Sequence, residues 1–226
     1  EYIKKNGVRR FIFASSQSIY GIADTSKLVK ENSRKNPITV YAKTKWKAEK
    51  ELKKLGDKNF CVTFFRPSTV FGSSPRLRSD IVYNNFLGSA FTKKKINILS
   101  DGKPWRPVIH VNDVCDAFIS ALKVETKKIN KQAFNIGIKN GNFTVKHIAQ
   151  HAHKIIKNSK ININQNNKSD ERTYKVSFHK IFRILGKFYK PKFKLTNGGL
   201  ELVSFFKKNN FKKKDFEGEK TNRILK

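Results

Sequence analysis

A tyrosine and a lysine four positions apart, Tyr41 and Lys45, are the residues with the clearest chemical potential in this chain. On a helix, positions i and i+4 share one face, so the lysine ammonium can lie beside the phenol. An ammonium stabilises a phenolate, which helps a tyrosine to act as a general base near neutral pH. Ser15 and Ser16 lie upstream and add hydroxyl groups. The pattern predicts a proton-transfer site.

The elements that must position these residues can be read from the apolar runs. Residues 10–14 form a run typical of a buried parallel strand, and residues 60–65 form a second one. The Tyr41 helix lies between them. A strand, a helix and a strand in this order predict a right-handed crossover unit, and ligands bind beyond the carboxyl ends of its strands. Ser16 and Pro67 fall at that edge.

The rest of the chain alternates helices and short strands by the same criteria. Helices are predicted for residues 79–92, 144–155, 177–185 and 198–208, with a further helix capped by Asn112 or Asp113 and reaching Leu122. Short strands are predicted for residues 96–99, 107–111 and 133–137. The tail from residue 212 onward is highly charged, and we expect it to fray.

The composition is strongly basic, with a formal net charge of +32 from 49 Lys+Arg against 17 Asp+Glu. Such a charge raises the possibility of nucleic-acid binding. The basic residues are mostly lysines scattered along the chain, and no zinc-ligand spacing, RNA-binding aromatic signature or helix-turn-helix pattern accompanies them. We therefore expect no specific nucleic-acid partner, although a positive field attracts any anionic ligand.

Two cysteines, Cys61 and Cys115, lie in apolar segments, which predicts buried free thiols. Their spacing indicates neither a disulfide framework nor a metal site. No apolar run approaches the length of a membrane span, and no signal peptide is visible, so no membrane partner is expected and the cytoplasm is the expected location.

Six ordered segments carry a family resemblance. Residues 11–21 hold a strand, a serine pair and Ile19-Tyr20-Gly21; residues 41–45 hold Tyr-x-x-x-Lys; residues 66–72 follow R-x-x-x-x-F-G; residues 101–114 follow G-x-x-x-R-x-x-x-x-V-x-D; and residues 134–137 and 172–176 come last. Together they resemble the extended short-chain dehydrogenase/reductase family, in its NAD-dependent nucleotide-sugar epimerase/dehydratase branch.

The resemblance implies an α/β fold, namely the C-terminal part of a Rossmann-like doubly wound parallel sheet with a smaller mixed α/β substrate domain. It assigns residues 1–72 and 105–138 to a partial dinucleotide-binding domain, residues 73–104 and 139–211 to the substrate domain, and residues 212–226 to a charged tail. The chain has no Met and no Gly-x-x-Gly-x-x-Gly turn. We therefore expect an N-terminally incomplete chain that binds cofactor poorly by itself.

The resemblance also implies roles for single residues. Tyr41 is the expected proton acceptor, Lys45 its electrostatic partner and ribose contact, and Ser16 the hydrogen-bond donor to the reacting sugar oxygen. The implied cofactor is NAD, with NADP as an alternative, and its expected contacts are Ala14, Ser15, Tyr41, Lys45, Arg66, Pro67 and Thr69. The implied substrate is a nucleotide-sugar, with expected contacts at Ser16, Gln17, Ser18, Thr69, Arg106 and Arg172.

Several of these assignments leave alternatives open. Arg106 matches the family arginine that pairs with the diphosphate, a role that suits a guanidinium fork, or it is a surface arginine stacked on Trp105. Arg172 is a candidate second phosphate ligand. His110 is expected to be packed and without a catalytic role, and Asn135 is expected to be a structural turn residue.

Two departures from the family pattern bear on which reaction and which substrate are expected. The family's 4,6-dehydratases carry Asp and Glu where this chain has Gln17 and Ser18, which cannot exchange protons usefully near neutral pH. Dehydration and decarboxylation are therefore disfavoured, and epimerisation through a keto-sugar is the expected reaction. Thr69 stands where many family members have an Asn that contacts the substrate. The sequence therefore does not determine which sugar the substrate carries.

Other functions stay open at this point. An NAD(P)-dependent keto-sugar reductase of the same family would use the same residues and consume reduced cofactor, and a dehydratase of that family is the alternative that Gln17 and Ser18 disfavour. A basic nucleic-acid-binding or non-catalytic protein is the alternative from another class. Family members commonly dimerise through the Tyr-x-x-x-Lys helix. We therefore expect a homodimer of the intact protein, and a fragment that is monomeric or aggregates through an uncovered sheet edge.

Overall fold

The computed structural model describes residues 1–164, 173–219 and 221, so the predicted substrate contact Arg172 lies outside the described residues. The strands are β1 (Arg10–Ala14), β2 (Leu28–Val29), β3 (Cys61–Pro67), β4 (Thr69–Phe71), β5 (Lys95–Ile98), β6 (Trp105–His110), β7 (Ala133–Ile136), β8 (Asn142–Thr144), β9 (Lys160–Ile163) and β10 (Lys175–Val176). The helices are α1 (Tyr2–Lys5), α2 (Val40–Leu55), α3 (Val82–Lys93), α4 (Val111–Lys123), α5 (Thr126–Ile129), α6 (Val145–Ile155), α7 (His179–Leu185), α8 (Leu195–Lys208) and α9 (Lys213–Glu217).

The first part of the fold is a parallel sheet in the order β1-β3-β7. β3 is its central strand and is buried along almost its whole length, which is why it is a continuous apolar run rather than an alternating one. The helix α2 connects β1 to β3, with the Thr39 hydroxyl accepting a hydrogen bond from the Ala42 amide at its start. The predicted strand–helix–strand unit is confirmed, and the fold class is the predicted α/β class.

The second part is built on two smaller sheets, β4-β6-β8 and β5-β9, and on the helices α3, α6 and α8. β4 pairs in parallel with β6, and β8 pairs antiparallel to β6. Aromatic and aliphatic side chains from these elements form a separate buried cluster that includes Phe71, Tyr83, Leu87, Ile148, Leu202 and Phe206. The fold thus has a core around the first sheet and a second core beside it.

Two predicted boundaries at the C-terminal end were wrong. Helix α8 begins at Leu195 and not at the glycine pair, because the Asn197 side chain accepts a hydrogen bond from the Lys194 amide and caps an earlier start. The expectation that the tail frays from residue 212 fails for α9. Its Phe216 is buried against Gly88 of α3, so close that a methyl group at residue 88 would collide with the ring. Among the described residues, no helix has the length and apolar character that crossing a membrane requires.

Candidate active site

A cleft of about 920 Å³ opens at the carboxyl ends of β1 and β3. This is the edge at which the crossover unit predicted a ligand site. Seven of the predicted site residues line the cleft, namely Ser15, Ser16, Ser18, Tyr41, Pro67, Thr69 and Arg106. The backbone direction of two parallel strands thus brings together residues that are distant in sequence.

The Tyr41–Lys45 pair lies in the first turns of α2. The Lys45 ammonium donates a hydrogen bond to the Ala14 carbonyl oxygen at 2.7 Å and lies 5.7 Å from the centre of the Tyr41 ring. It also lies 4.8 Å from the centre of the Phe13 ring. The end of β1 therefore holds a cation beside a half-exposed tyrosine that faces the cleft. Ala14 takes part through its backbone carbonyl oxygen, which accepts the Lys45 hydrogen bond.

Two hydroxyl groups at the end of β1 can donate to a ligand. Ser16 caps the short 3-10 helix Gln17–Tyr20, and its Oγ accepts hydrogen bonds from the Ser18 amide at 3.1 Å and the Ser18 hydroxyl at 2.9 Å. Both are accepted bonds, so the Ser16 hydroxyl has no acceptor among the described residues and can donate its proton to a ligand. The buried Oγ of Ser15 has no hydrogen-bond partner among the described residues. Both serines line the cleft.

Gln17, predicted to contact substrate, is directed into the protein instead. Its Nε2 donates hydrogen bonds to the carbonyl oxygens of Arg66 at 3.0 Å and Ile136 at 3.3 Å. Its side chain is almost fully buried and does not line the cleft. Because it joins the ends of β3 and β7 beneath the cleft floor, the prediction of a direct contact by Gln17 was wrong.

Arg66, predicted to contact cofactor, is likewise turned inward. Its guanidinium forms a two-point ion pair with Glu49 of α2, at 2.9 and 2.6 Å, and donates to the Tyr20 hydroxyl at 2.9 Å. Burial is the largest single influence on the pKa of this guanidinium and lowers it, but the contacts with Glu49 and Tyr20 together outweigh burial and hold the pKa above its ordinary value. Burial raises the pKa of Tyr20 to about 12. The Arg66 side chain fastens α2 to β3, so the prediction that it contacts cofactor was wrong.

The wall of the cleft that follows β4 was missed by the sequence reading. We call residues 72–81 the arginine loop, because it carries Arg76 and Arg78 to the cleft lining. Arg78 is paired with Asp80, whereas Arg76 is exposed and has no carboxylate partner among the described residues. Two arginines two positions apart, in a chain whose basic residues are mostly lysine, were the signal that could have identified this loop.

The arginine loop is held at its start by a buried histidine. Gly72 has a φ of 114°, and a side chain there would come within 2.4 Å of the His110 Nε2 atom. His110 Nε2 lies 3.2 Å from a carboxylate oxygen of Glu201 in α8. The same carboxylate accepts hydrogen bonds from the amide and the hydroxyl of Ser73. Glu201 therefore links the loop to β6 and α8.

Other sequence expectations have clear outcomes. His110 is packed as predicted, stacked on Phe193 with ring centres 3.9 Å apart, although the reading missed its partner Glu201. Asn135 is structural but lies within β7 and not in a turn, and its Oδ1 accepts a hydrogen bond from the Tyr20 hydroxyl at 2.7 Å. Cys115 is exposed, so the prediction of a buried thiol there was wrong, whereas Cys61 is buried.

Arg106 is placed at the cleft by β6. Its Nη1 donates a hydrogen bond to the Trp105 carbonyl oxygen at 2.9 Å. The Trp105 ring has the Lys175 ammonium 5.2 Å from its centre. Because Arg106 lines the cleft, its position is compatible with the predicted contact to the substrate diphosphate. That contact stays a prediction.

A parallel sheet with a serine pair and a Tyr-x-x-x-Lys helix at its carboxyl edge defines the class of short-chain dehydrogenase/reductase folds. Residues 1–137 match the model of the NAD dependent epimerase/dehydratase family. The chain belongs to this family, as the six ordered segments predicted.

Curated relatives agree with this assignment. The chain is 28% identical over 158 residues to the UDP-glucose 4-epimerase of Bacillus subtilis, covering 62% of this chain and 46% of that protein. It is 29% identical over 124 residues to the N-acetyl-alpha-D-glucosaminyl-diphospho-ditrans,octacis-undecaprenol 4-epimerase of Escherichia coli O157:H7, covering 54% of this chain and 35% of that protein. The chain thus spans less than half the length of these relatives.

Solved structures show the same fold. The UDP-glucose 4-epimerase of Thermotoga maritima, crystallised with UDP-glucose, superposes with a TM-score of 0.79 at 25% identity, over 92% of this chain and 66% of that one. The UDP-glucuronic acid 4-epimerase of Bacillus cereus, crystallised with UDP-glucuronic acid and NAD, superposes with a TM-score of 0.74 at 24% identity, over 88% of this chain and 62% of that one.

The residues at the end of β1 fit the part of a dinucleotide that reacts. The buried Ser15 hydroxyl, which has no partner among the described residues, follows the exposed residue Ala14, and the Ala14 carbonyl oxygen fixes the Lys45 ammonium. Such groups can hydrogen-bond an amide and a ribose. Ala14, Ser15, Lys45, Pro67 and Thr69 are therefore compatible with the predicted cofactor contacts.

Proposed function

We propose that the protein carrying this chain is an NAD-dependent epimerase of nucleotide-sugars. The observation that carries the proposal is the meeting of three groups at one cleft. Tyr41 and Ser16 line it, and the ammonium of Lys45 is fixed beside the Tyr41 ring. These are a proton acceptor, a hydrogen-bond donor and a cation, which are the groups that oxidation of a sugar hydroxyl requires.

The proposed roles follow from these positions. The Tyr41 phenolate takes the proton of a sugar hydroxyl, and the Lys45 ammonium stabilises the phenolate. The free proton of Ser16 hydrogen-bonds the same sugar oxygen and keeps it oriented toward Tyr41. NAD, when bound, supplies the hydride acceptor and donor. If the keto-sugar rotates in the cleft and presents its other face before Tyr41 returns the proton, the sugar leaves with inverted configuration at the carbon that was oxidised.

The lining of the cleft supports an anionic, hydrogen-bonding substrate. Arg106 and Arg76 bring positive charge, and Asn84, Asn85 and Ser74 add polar side chains. One relative bears the name of a UDP-glucose 4-epimerase and another that of a 4-epimerase of an undecaprenol-linked diphosphate sugar, and the neighbouring structures hold UDP-sugars. We infer a nucleotide diphosphate sugar as the substrate class, with Arg106 at the diphosphate.

The test is the Tyr41→Phe substitution in the protein that carries this chain. Turnover of nucleotide-sugar should fall at least 100-fold, because the phenol oxygen is the proposed base, while NAD binding should stay within a few-fold of the parent. Turnover is followed by sugar analysis and by nicotinamide absorbance. A parent that consumes reduced nicotinamide one-for-one with a keto-sugar would identify a reductase instead. A Tyr41→Phe variant with near-parent turnover would remove Tyr41 from the mechanism.

A further inference from the structure

We propose that Ser18 is a positioning residue for Ser16, because its hydroxyl fixes the direction in which the Ser16 hydroxyl donates to the sugar oxygen. This inference rests on the proposed epimerase function and adds a residue to the same site. The family resemblance implied a direct contact between Ser18 and the substrate. Ser18 does line the cleft, but the hydrogen bonds at the end of β1 favour a role that acts through Ser16.

The acceptor side of the Ser16 hydroxyl is filled by Ser18 alone. A hydroxyl has one proton to donate and two lone pairs that accept. The Ser16 Oγ atom accepts hydrogen bonds from the Ser18 amide at 3.1 Å and from the Ser18 hydroxyl at 2.9 Å. With both lone pairs occupied, the Ser16 proton is directed away from Ser18. A hydroxyl that accepts hydrogen bonds is also polarised by them and becomes a stronger donor.

The proton of Ser18, by contrast, is committed to this bond. The Ser18 hydroxyl has a single proton and donates it to Ser16. Ser18 can still accept a hydrogen bond from a sugar hydroxyl, but it cannot at the same time donate to the sugar oxygen that is losing its proton. This division of donors favours Ser16 as the contact with the reacting oxygen and Ser18 as the support of Ser16.

The segment that carries Ser18 is anchored in the protein on both sides. Ser18 lies in the short 3-10 helix that begins at Gln17, and Ser16 precedes this helix with an extended backbone. The buried Gln17 side chain donates to carbonyl oxygens of β3 and β7. The buried Tyr20 hydroxyl donates to the Asn135 Oδ1 atom at 2.7 Å. Because this backbone is fixed before a ligand arrives, the Ser18 side chain holds Ser16 at little further cost in entropy.

The reaction gives this support its importance. When a sugar hydroxyl passes its proton to Tyr41, negative charge grows on the sugar oxygen, and a preorganised donor stabilises that charge most in the transition state. Without the Ser18 hydroxyl, one lone pair of Ser16 is open to water and the Ser16 proton can turn in other directions. The cost then falls on the transition state rather than on binding of the sugar, so kcat should fall while KM holds.

The experiment measures kcat and KM in the protein that carries this chain, with NAD bound and with UDP-glucose and UDP-glucuronic acid as probes, since neighbouring structures hold these sugars. Ser18→Ala should lower kcat roughly 3- to 10-fold, which is the effect of one neutral hydrogen bond, and leave KM within about twofold. Ser18→Thr keeps a hydroxyl on the same carbon and should recover most of the loss.

Ser26→Ala is the matched control. The amide and the hydroxyl of Ser26 both donate to the Asp24 carboxylate, at 2.8 and 2.7 Å, so Ser26 bonds the residue two positions earlier just as Ser18 does. Neither Ser26 nor Asp24 lines this cleft. The substitution therefore removes the same kind of local bond away from the site, and it should change neither kcat nor KM.

A double-mutant cycle separates support of Ser16 from direct contact with the sugar. If Ser18 acts through Ser16, Ser18→Ala should hardly lower kcat further in a Ser16→Ala background, because no hydroxyl is left to direct. The inference is overturned by an equal loss in both backgrounds, by no loss in the parent, by a loss carried by KM instead of kcat, or by no recovery in Ser18→Thr.

Failure of the proposed function gives a different result. A parent that turns over neither UDP-sugar, or a Tyr41→Phe variant with near-parent turnover, contradicts the epimerase proposal itself and the role of Ser18 with it. A loss in Ser18→Ala that does not depend on Ser16, in an active parent that requires Tyr41, contradicts only the role of Ser18.

Discussion

The floor of the cleft, at the ends of β1 and β3, is fastened by the buried pair of Arg66 and Glu49, whereas the arginine loop is fastened by Glu201 and by the segment around Phe216. The first pair is 17 residues apart in sequence. The contacts of the loop span 128 residues at Ser73 and 137 residues at Ser79. The ion pair beneath the floor thus joins near neighbours in sequence, whereas these contacts of the arginine loop join distant residues.

The largest expected effect tests the buried pair. Glu49→Gln should destabilise the protein by about 3–5 kcal/mol, because it leaves the Arg66 guanidinium buried without its counter-charge. The measurement is the urea midpoint at constant m-value. Glu51→Gln is the matched control, since Glu51 is on the same helix and its partner Lys54 is also exposed, so the midpoint should hardly move. Equal shifts for both variants would show that burial does not distinguish the two pairs.

A smaller effect is expected at the base of the arginine loop. Gly72→Ala should cost about 3 kcal/mol, because the new methyl group combines an unfavourable φ with a collision against buried His110. Gly7→Ala is the control that keeps a positive φ in open space, and it should cost only about 1 kcal/mol. Thermal unfolding of the two variants gives the comparison. If Gly72→Ala is no worse than Gly7→Ala, the contact with His110 does not fix the loop.

The smallest effect is a pH dependence of the free energy of unfolding, which arises from Lys35 beside the buried Arg66. Burial, together with the charge of Arg66, lowers the pKa of Lys35 to about 8, against 10.5 ordinarily. Between pH 8 and 10.5 the unfolded chain then binds more protons than the folded one, so this lysine makes stability rise with pH in that window. Lys35→Met should reduce the rise to the part that Lys180 contributes, since burial lowers the pKa of Lys180 as well, whereas Lys30→Met, at an exposed position, should leave the rise unchanged. Urea midpoints at pH 7.5 and 10 decide, and a rise that stays as large as the parent's in Lys35→Met would contradict the assignment.

The difference between the cleft floor and the arginine loop also explains which residues of the site could be predicted from the sequence. Tyr41, Lys45 and Ser16 fall into periodic, locally defined elements, so helical spacing and strand ends were enough to bring them to one edge. Gln17 and Arg66 lie in the same segments, but the direction of a side chain depends on the polar partners that packing provides. Pattern alone could not show that Glu49 faces Arg66.

The arginine loop was not predicted for a different reason. Neither its length nor its composition follows a periodic pattern, and its shape depends on Gly72, His110 and Glu201, which are far apart in sequence. The start of α8 was misplaced for a related reason, since an asparagine side chain rather than the glycine pair sets it. In each case a specific hydrogen bond overrode the local signal.

The bond between Ser73 and Glu201 has a consequence for how the chain is made. The two residues are 128 positions apart, so a ribosome adding about 5–20 residues per second reaches Glu201 roughly 6 to 26 seconds after Ser73. The strands β1 and β3 and the helix α2 are complete long before that. During synthesis, β1, α2 and β3 can therefore form while the arginine loop still lacks its contact with Glu201.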